Sequence, residues 1–192
     1  MMNKNLLSNF IIRTGNPISD LCLSFNLTDF YKLSEWLTKL PYGRTSSRTD
    51  LTLLFSENRG TCSSKHGLFK TVALENDYKE FDLIICIYKM HEYNTPGIGS
   101  YIQDAGLKFI PEAHAYIRSN DLTIDLTSSH SDFERIKADV LDEIVILPKQ
   151  IGTFKVDYHQ EYLKKWIKEN NISLTLNEVW KIREMCISNL SG

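Results

Sequence analysis

The stretch Arg59-Gly60-Thr61-Cys62-Ser63-Ser64-Lys65-His66-Gly67-Leu68-Phe69-Lys70 decides how this chain is read. A glycine and a threonine precede a cysteine, and Leu68, Phe69, Val72, Ala73 and Leu74 follow at helical spacing. That periodicity predicts a helix from Ser63 to about Glu75, with Cys62 at or just before its first turn. A helix N-terminus presents unpaired backbone N–H groups and a partial positive charge. Both favour a thiolate over a thiol and can hold a developing oxyanion, so a cysteine placed there gains nucleophilicity. Lys65 and His66 are expected to add positive charge nearby, unless His66 simply faces solvent. The plainer alternative is a small buried cysteine at a helix start, because cysteine is among the most buried residue types.

Working outward, residues 1 to 27 are weakly patterned. Thr28 to Leu40 reads as a helix with Thr28 as N-cap, Pro41 as its stop, and Phe30, Leu33, Trp36, Leu37 and Leu40 on the apolar face. Gly43 to Asp50 is a polar, basic loop, and Leu51 to Phe55 is a short apolar lead into the cysteine segment. Downstream, Phe81 to Met90 has few polar residues and predicts an inner strand in which Cys86 packs. His91 to Leu107 carries Asn94-Thr95-Pro96-Gly97-Ile98-Gly99 and predicts a long connection with one helical turn from Tyr101. Phe109 to Arg118 and Leu122 to Thr127 predict two strands joined through Ser119-Asn120, and residues 128 to 139 are polar. Val140 to Leu147 predicts another strand closed by Pro148, followed by helices over Tyr158 to Asn170 and Leu176 to Asn189. Trp166 and Trp180 on those helices are expected to pack, or to cover a cleft. Helices, then strands, then helices indicate an α+β fold, a central antiparallel sheet with flanking N- and C-terminal helices. A single domain over 1–192 is expected, its core at about 28–150 and a C-terminal helical extension at 153–190.

A chain of 192 residues is long enough for one substantial core. A net charge of -2 gives no electrostatic footprint for nucleic acid or an anionic membrane surface. No apolar run approaches the roughly 20 residues that a membrane helix needs. Met1 to Arg13 shows no small-residue cleavage site, so no export signal is read there and a cytoplasmic location is expected. Cys22, Cys62, Cys86 and Cys186 are scattered without a CxxC pair, which argues against a zinc ribbon or thioredoxin-type site and for thiols.

A nucleophilic cysteine needs a base, and the base needs an orienting acceptor. With Ser119-Asn120 as a two-residue loop, Arg118 pairs with Asp121 and His114 lies directly opposite Asp125, Cβ atoms about 4.5–5.5 Å apart. Moving the loop to Asn120-Asp121 makes the two diagonal on one face, and a three-residue loop separates them onto opposite faces. Ala115, Ile117, Leu122, Ile124 and Leu126 share one face, and His114, Tyr116, Arg118, Thr123, Asp125 and Thr127 the other. A polar face that simply meets water explains the same alternation.

GTCSSKHGLF, then HAYI, then TIDLT resembles the transglutaminase-like branch of the papain-like cysteine enzymes, over residues 50 to 128. The resemblance implies a cysteine opening a helix packed on an antiparallel sheet, with the histidine and aspartate on neighbouring strands. It implies acyl transfer through an acyl-enzyme, with Cys62 as nucleophile, His114 as base and then acid, and Asp125 as its orienting acceptor. Asn58 or the Cys62 backbone N–H would be the oxyanion donor. Ser63 and Ala115 stand where family members often carry tryptophan, and the CxxC pairs of the deglycosylating relatives are missing. Water as acceptor makes a hydrolase and an amine a transferase, and both remain open. The expected partner is a peptide or small acyl substrate, with no cofactor or metal. A non-catalytic binding domain on the same fold is the competing expectation. A metal site from Cys62, His66 and His114 is the third, less economical than a triad with an orienting carboxylate. His91, His130 and His159 lie in polar segments and are assigned no role.

Overall fold

The structure is a computed structural model and describes residues 9–190. The first part of the segment read for an export signal, residues 1–8, lies outside the described residues. In chain order the elements are α1 (Pro17–Ser24), α2 (Phe30–Lys39), α3 (Leu53–Ser56), α4 (Cys62–Glu75), β1 (Asp82–Met90), α5 (Tyr101–Asp104), β2 (Ile110–Ser119), β3 (Leu122–Ile124), α6 (Glu134–Lys137) and β4 (Val140–Ile146). A 3-10 turn (Pro148–Gln150) then precedes α7 (Thr153–Glu169) and α8 (Leu176–Asn189). Among the described residues the strands form one four-stranded antiparallel sheet in the order β3-β2-β1-β4, with helices flanking it. The fold class is therefore α+β, and β1, with a neighbour on each side, is the buried inner strand its composition predicts. No helix among the described residues is long and apolar enough to cross a membrane.

Local chemistry explains where the elements depart from expectation. Asp29, not Thr28, caps α2, its carboxylate accepting the Lys32 N–H at 3.1 Å. Helix α1 was not expected, although Asn16-Pro17 marks its start: proline at the first helical position loses no hydrogen bond there. Helix α7 begins at Thr153, where the expected C-terminal helical extension starts, and five residues before the individual helix read from Tyr158. Thr153-Phe154-Lys155-Val156 has modest helix propensity, yet Lys155 and His159 extend the buried stripe of Leu163 and Trp166. The hairpin loop is Asn120-Asp121 rather than Ser119-Asn120, because Asn120 adopts the left-handed φ of 51° that asparagine tolerates. Arg118 therefore pairs with Thr123, not Asp121.

The chain divides into two compact units. One consists of the described residues up to Ile84 with Ala115–Ser131 and Val145–Ile151; the other of Ile85–His114, Asp132–Ile144 and the described residues from Gly152. In the first unit α4 is enclosed on nearly every side rather than along one apolar face: Lys65, His66, Leu68, Phe69, Lys70, Val72 and Ala73 are all buried. Phe10, Phe30, Phe69 and Phe81 interlock with ring centroids 5.2–6.4 Å apart. At the far end of α4, the Glu75 carboxylate accepts the Ile18 and Ser19 N–H groups and the Ser19 hydroxyl. A negative charge thus sits on the positive end of the α1 dipole. The second unit is tied by a buried ion pair, Glu112 on β2 with Arg183 on α8, at 2.7 and 2.5 Å. Burial alone would raise the Glu112 carboxyl, but Arg183, His159 and Lys155 outweigh it and hold it below the usual range.

Candidate active site

Helix α4 begins at Cys62, and its start carries a capping box. Thr61 accepts the Ser64 N–H through its hydroxyl, and the Ser64 hydroxyl accepts the Thr61 N–H at 2.9 Å. This reciprocal pair engages two groups of the helix end and leaves Cys62 as the first helical residue. Cys62 is 6% exposed and in no disulfide, and its sulfur is 3.8 Å from the Ser63 hydroxyl. Gly60 permits the approach of this turn to its neighbours. A Cβ there would fall 3.1 Å from Lys65 Cγ and Ser64 Oγ and 3.2 Å from Leu54 Cδ2. The Gly60 N–H also bonds the Pro41 carbonyl.

One turn along α4 the helix carries two buried polar side chains. Lys65 is completely buried, and its ammonium donates to the Leu40 and Thr127 carbonyls at 2.7 and 2.6 Å. Burial pushes Lys65 down to about 8, and the nearby Cys62 and Asp125 pull it back up in part. His66 is also completely buried, contrary to the expectation of a surface group or added charge. Its Nε2 accepts the Leu126 N–H at 2.7 Å, which puts the ring proton on Nδ1, donated to the Cys62 carbonyl at 2.7 Å. A ring with both nitrogens engaged on the backbone is a strut, and it is withdrawn from any metal-ligand set with Cys62.

Asp125 follows the last paired residue of β3, so the strand predicted to reach Thr127 ends at Ile124. Its carboxylate accepts the Thr127 N–H at 2.9 Å and lies 3.7 Å from His66 Nε2. Cys62, Lys65, His66 and Asp125 are therefore brought together within the first unit. His114 belongs to the second unit, half-buried on β2, its ring 6.4 Å from that of Tyr88 and nearly perpendicular to it. With Arg118 paired to Thr123 and β3 ending at Ile124, the directly opposite pairing of His114 with Asp125 is not formed. Tyr116, expected on a polar face, is completely buried.

Asn58 is exposed, with φ 49°, immediately beyond the cap of α3. That left-handed position after a helix suits asparagine for backbone reasons alone. The basic loop before α3 is fastened in place. The Ser46 hydroxyl and N–H donate to Glu57, Arg59 pairs with it, and together they hold its carboxyl down to about 2. Sequence reasoning missed Lys65 as a buried group, and it missed His159. That histidine is buried, bonds the Pro111 carbonyl at 2.8 Å and lies 5.2 Å from the Trp180 ring. The signal was its position in line with Leu163 and Trp166 along α7. No protein-family model, curated protein or solved structure matches this chain.

Proposed function

We propose that this chain is a cysteine-dependent acyl-transfer enzyme on a transglutaminase-like, papain-like α+β frame. The observation that carries the reading is Cys62 as the first residue of a fourteen-residue capped helix, beside the buried ammonium of Lys65. Cys62 gives its proton to His114 and its sulfur bonds to an amide or thioester carbonyl carbon. The oxyanion is held by the Cys62 N–H or Asn58. The C–N or C–S bond then breaks as His114 returns the proton to the leaving group. Water or an amine attacks the acyl-enzyme, delivers its proton to His114 and releases Cys62. Asp125 orients His114. The substrate is a peptide or small acyl compound, and the site residues are those the resemblance implies.

A second reading, a binding domain that keeps the frame without catalysis, is favoured by two contacts. Asp125 is engaged by the Thr127 N–H, and His66 serves the backbone. Iodoacetamide alkylation against pH, mapped to each cysteine in wild type and His114→Ala, separates the two. Rapid modification of Cys62 well below the ordinary thiol value of about 8.5, lost in His114→Ala, is the expected result. Slow modification of Cys62, at the pace of the other cysteines, selects the binding domain.

A further inference from the structure

Resting on the reading of Cys62 as nucleophile, we propose that Lys65 is the fixed cation of the site, a positioning residue whose ammonium holds Cys62 as thiolate independently of His114. Three observations meet here. Lys65 lies three residues after Cys62 on the same helix, so the two share a face. Its side chain is completely buried, and two of its three donors are fixed by the carbonyls of Leu40 and Thr127, from two separate segments. Gly60 lets the loop close over the aliphatic stem, where a Cβ would stand only 3.1 Å from Lys65 Cγ.

A buried lysine is costly unless its charge serves a partner. The two backbone carbonyls satisfy hydrogen bonds but carry no full charge. The titratable groups whose charge bears on it are Cys62 on α4 and Asp125 on the segment after β3, and Asp125 also lies 3.7 Å from His66 Nε2. His66 has its proton committed to a carbonyl and adds no charge. In the preceding loop Glu57 and Arg59 neutralise each other, and at the end of α2 Lys39 pairs with Glu35. Cys62 and Asp125 are thus the two groups whose negative charge the Lys65 ammonium favours. Burial lowers Lys65 to about 8, so it is still cationic at neutral pH and gives up its charge just above it.

The test is the alkylation profile of Cys62 in wild type, Lys65→Met and His114→Ala, each checked by circular dichroism. Lys65→Met is expected to move the Cys62 midpoint up by at least about one pH unit, which slows alkylation at neutral pH about tenfold. An unchanged midpoint in a folded Lys65→Met protein overturns the assignment. If Lys65→Met shifts the midpoint and His114→Ala does not, Lys65 stands and the triad falls; the reverse pattern keeps the triad and removes Lys65. A second measurement covers the case in which Lys65→Met does not fold. Coupling is reciprocal, so the Lys65 13Cε titration in Cys62→Ser should have a midpoint clearly below its value in wild type. Identical midpoints overturn the proposal.

Discussion

Lys65 and His66 are adjacent polar residues, both completely buried, and they do opposite electrical work. His66 is neutral and joins two backbone groups; Lys65 is charged and bonds carbonyls only. Because the folded-state value of Lys65, about 8, lies below the ordinary 10.5, the folded protein disfavours the protonated side chain. Its relative stabilisation is complete above 10.5 and lost as the pH falls through about 8. Urea unfolding of wild type minus Lys65→Met should therefore rise by about 3 kcal/mol between those limits, and a flat difference would contradict the burial assigned here. Burial also pushes the thiols of Cys22 and Cys186 up, to about 12 and about 11. Both should resist iodoacetamide at neutral pH in the native protein and react only after unfolding, as peptide mapping would show. In the sequence, Cys62 was legible as a helix-start cysteine because glycine, threonine and the apolar run are local signals. The fates of Lys65 and His66 were not, since their partners Leu40, Leu126 and Thr127 are remote in the chain.

Helix α4 and the α8–β2 tie are the elements on which the two units depend for definition. Thr61→Ala removes half of the capping box and should cost about 1 kcal/mol in thermal or urea unfolding. Gly60→Ala forces a methyl group against Lys65, Ser64 and Leu54 and should cost about 1–3 kcal/mol, with circular dichroism otherwise unchanged. In the second unit, Arg183→Met leaves Glu112 buried without its partner and should cost about 3–5 kcal/mol. Since the folded Glu112 value is depressed, the stability it contributes is present above the usual carboxylate value and lost as the pH falls through the lowered one. The Arg183→Met penalty should accordingly shrink in acid, measured as the difference in urea midpoint. Most element positions follow from apolar spacing: α8 and β4 lie within a residue of expectation at each end. The failures have physical causes. Helix α1 was signalled only by Asn16-Pro17, and the hairpin register turned on which residue takes the positive φ, Asn120 rather than Ser119.

At the scale of the molecule, the α+β order of elements could be read because each element carries its own periodicity. The division into two units could not, because it depends on which separated segments meet: Val145–Ile151 returns to the unit that the residues up to Ile84 began. Strand β2 shows the same point, with Glu112 committed to Arg183 in one unit and Tyr116 buried in the other. Neither unit is a continuous piece of chain, and this bears on how the protein is made. A ribosome that has released the residues up to Ile84 has delivered helices α1 to α4 without the segments that complete their unit. Lys65 and His66 wait for Leu126 and Thr127, and the unit closes only with Ile151. Nascent chains stalled with Ser131 outside the tunnel should be cleaved by added protease within the α4 segment, and chains stalled with Ile151 outside should be protected there while remaining cleavable in the segments that await α7 and α8. Translation speed between those two residues is then a variable of folding yield, and slow codons there would lengthen the time spent in reach of chaperones.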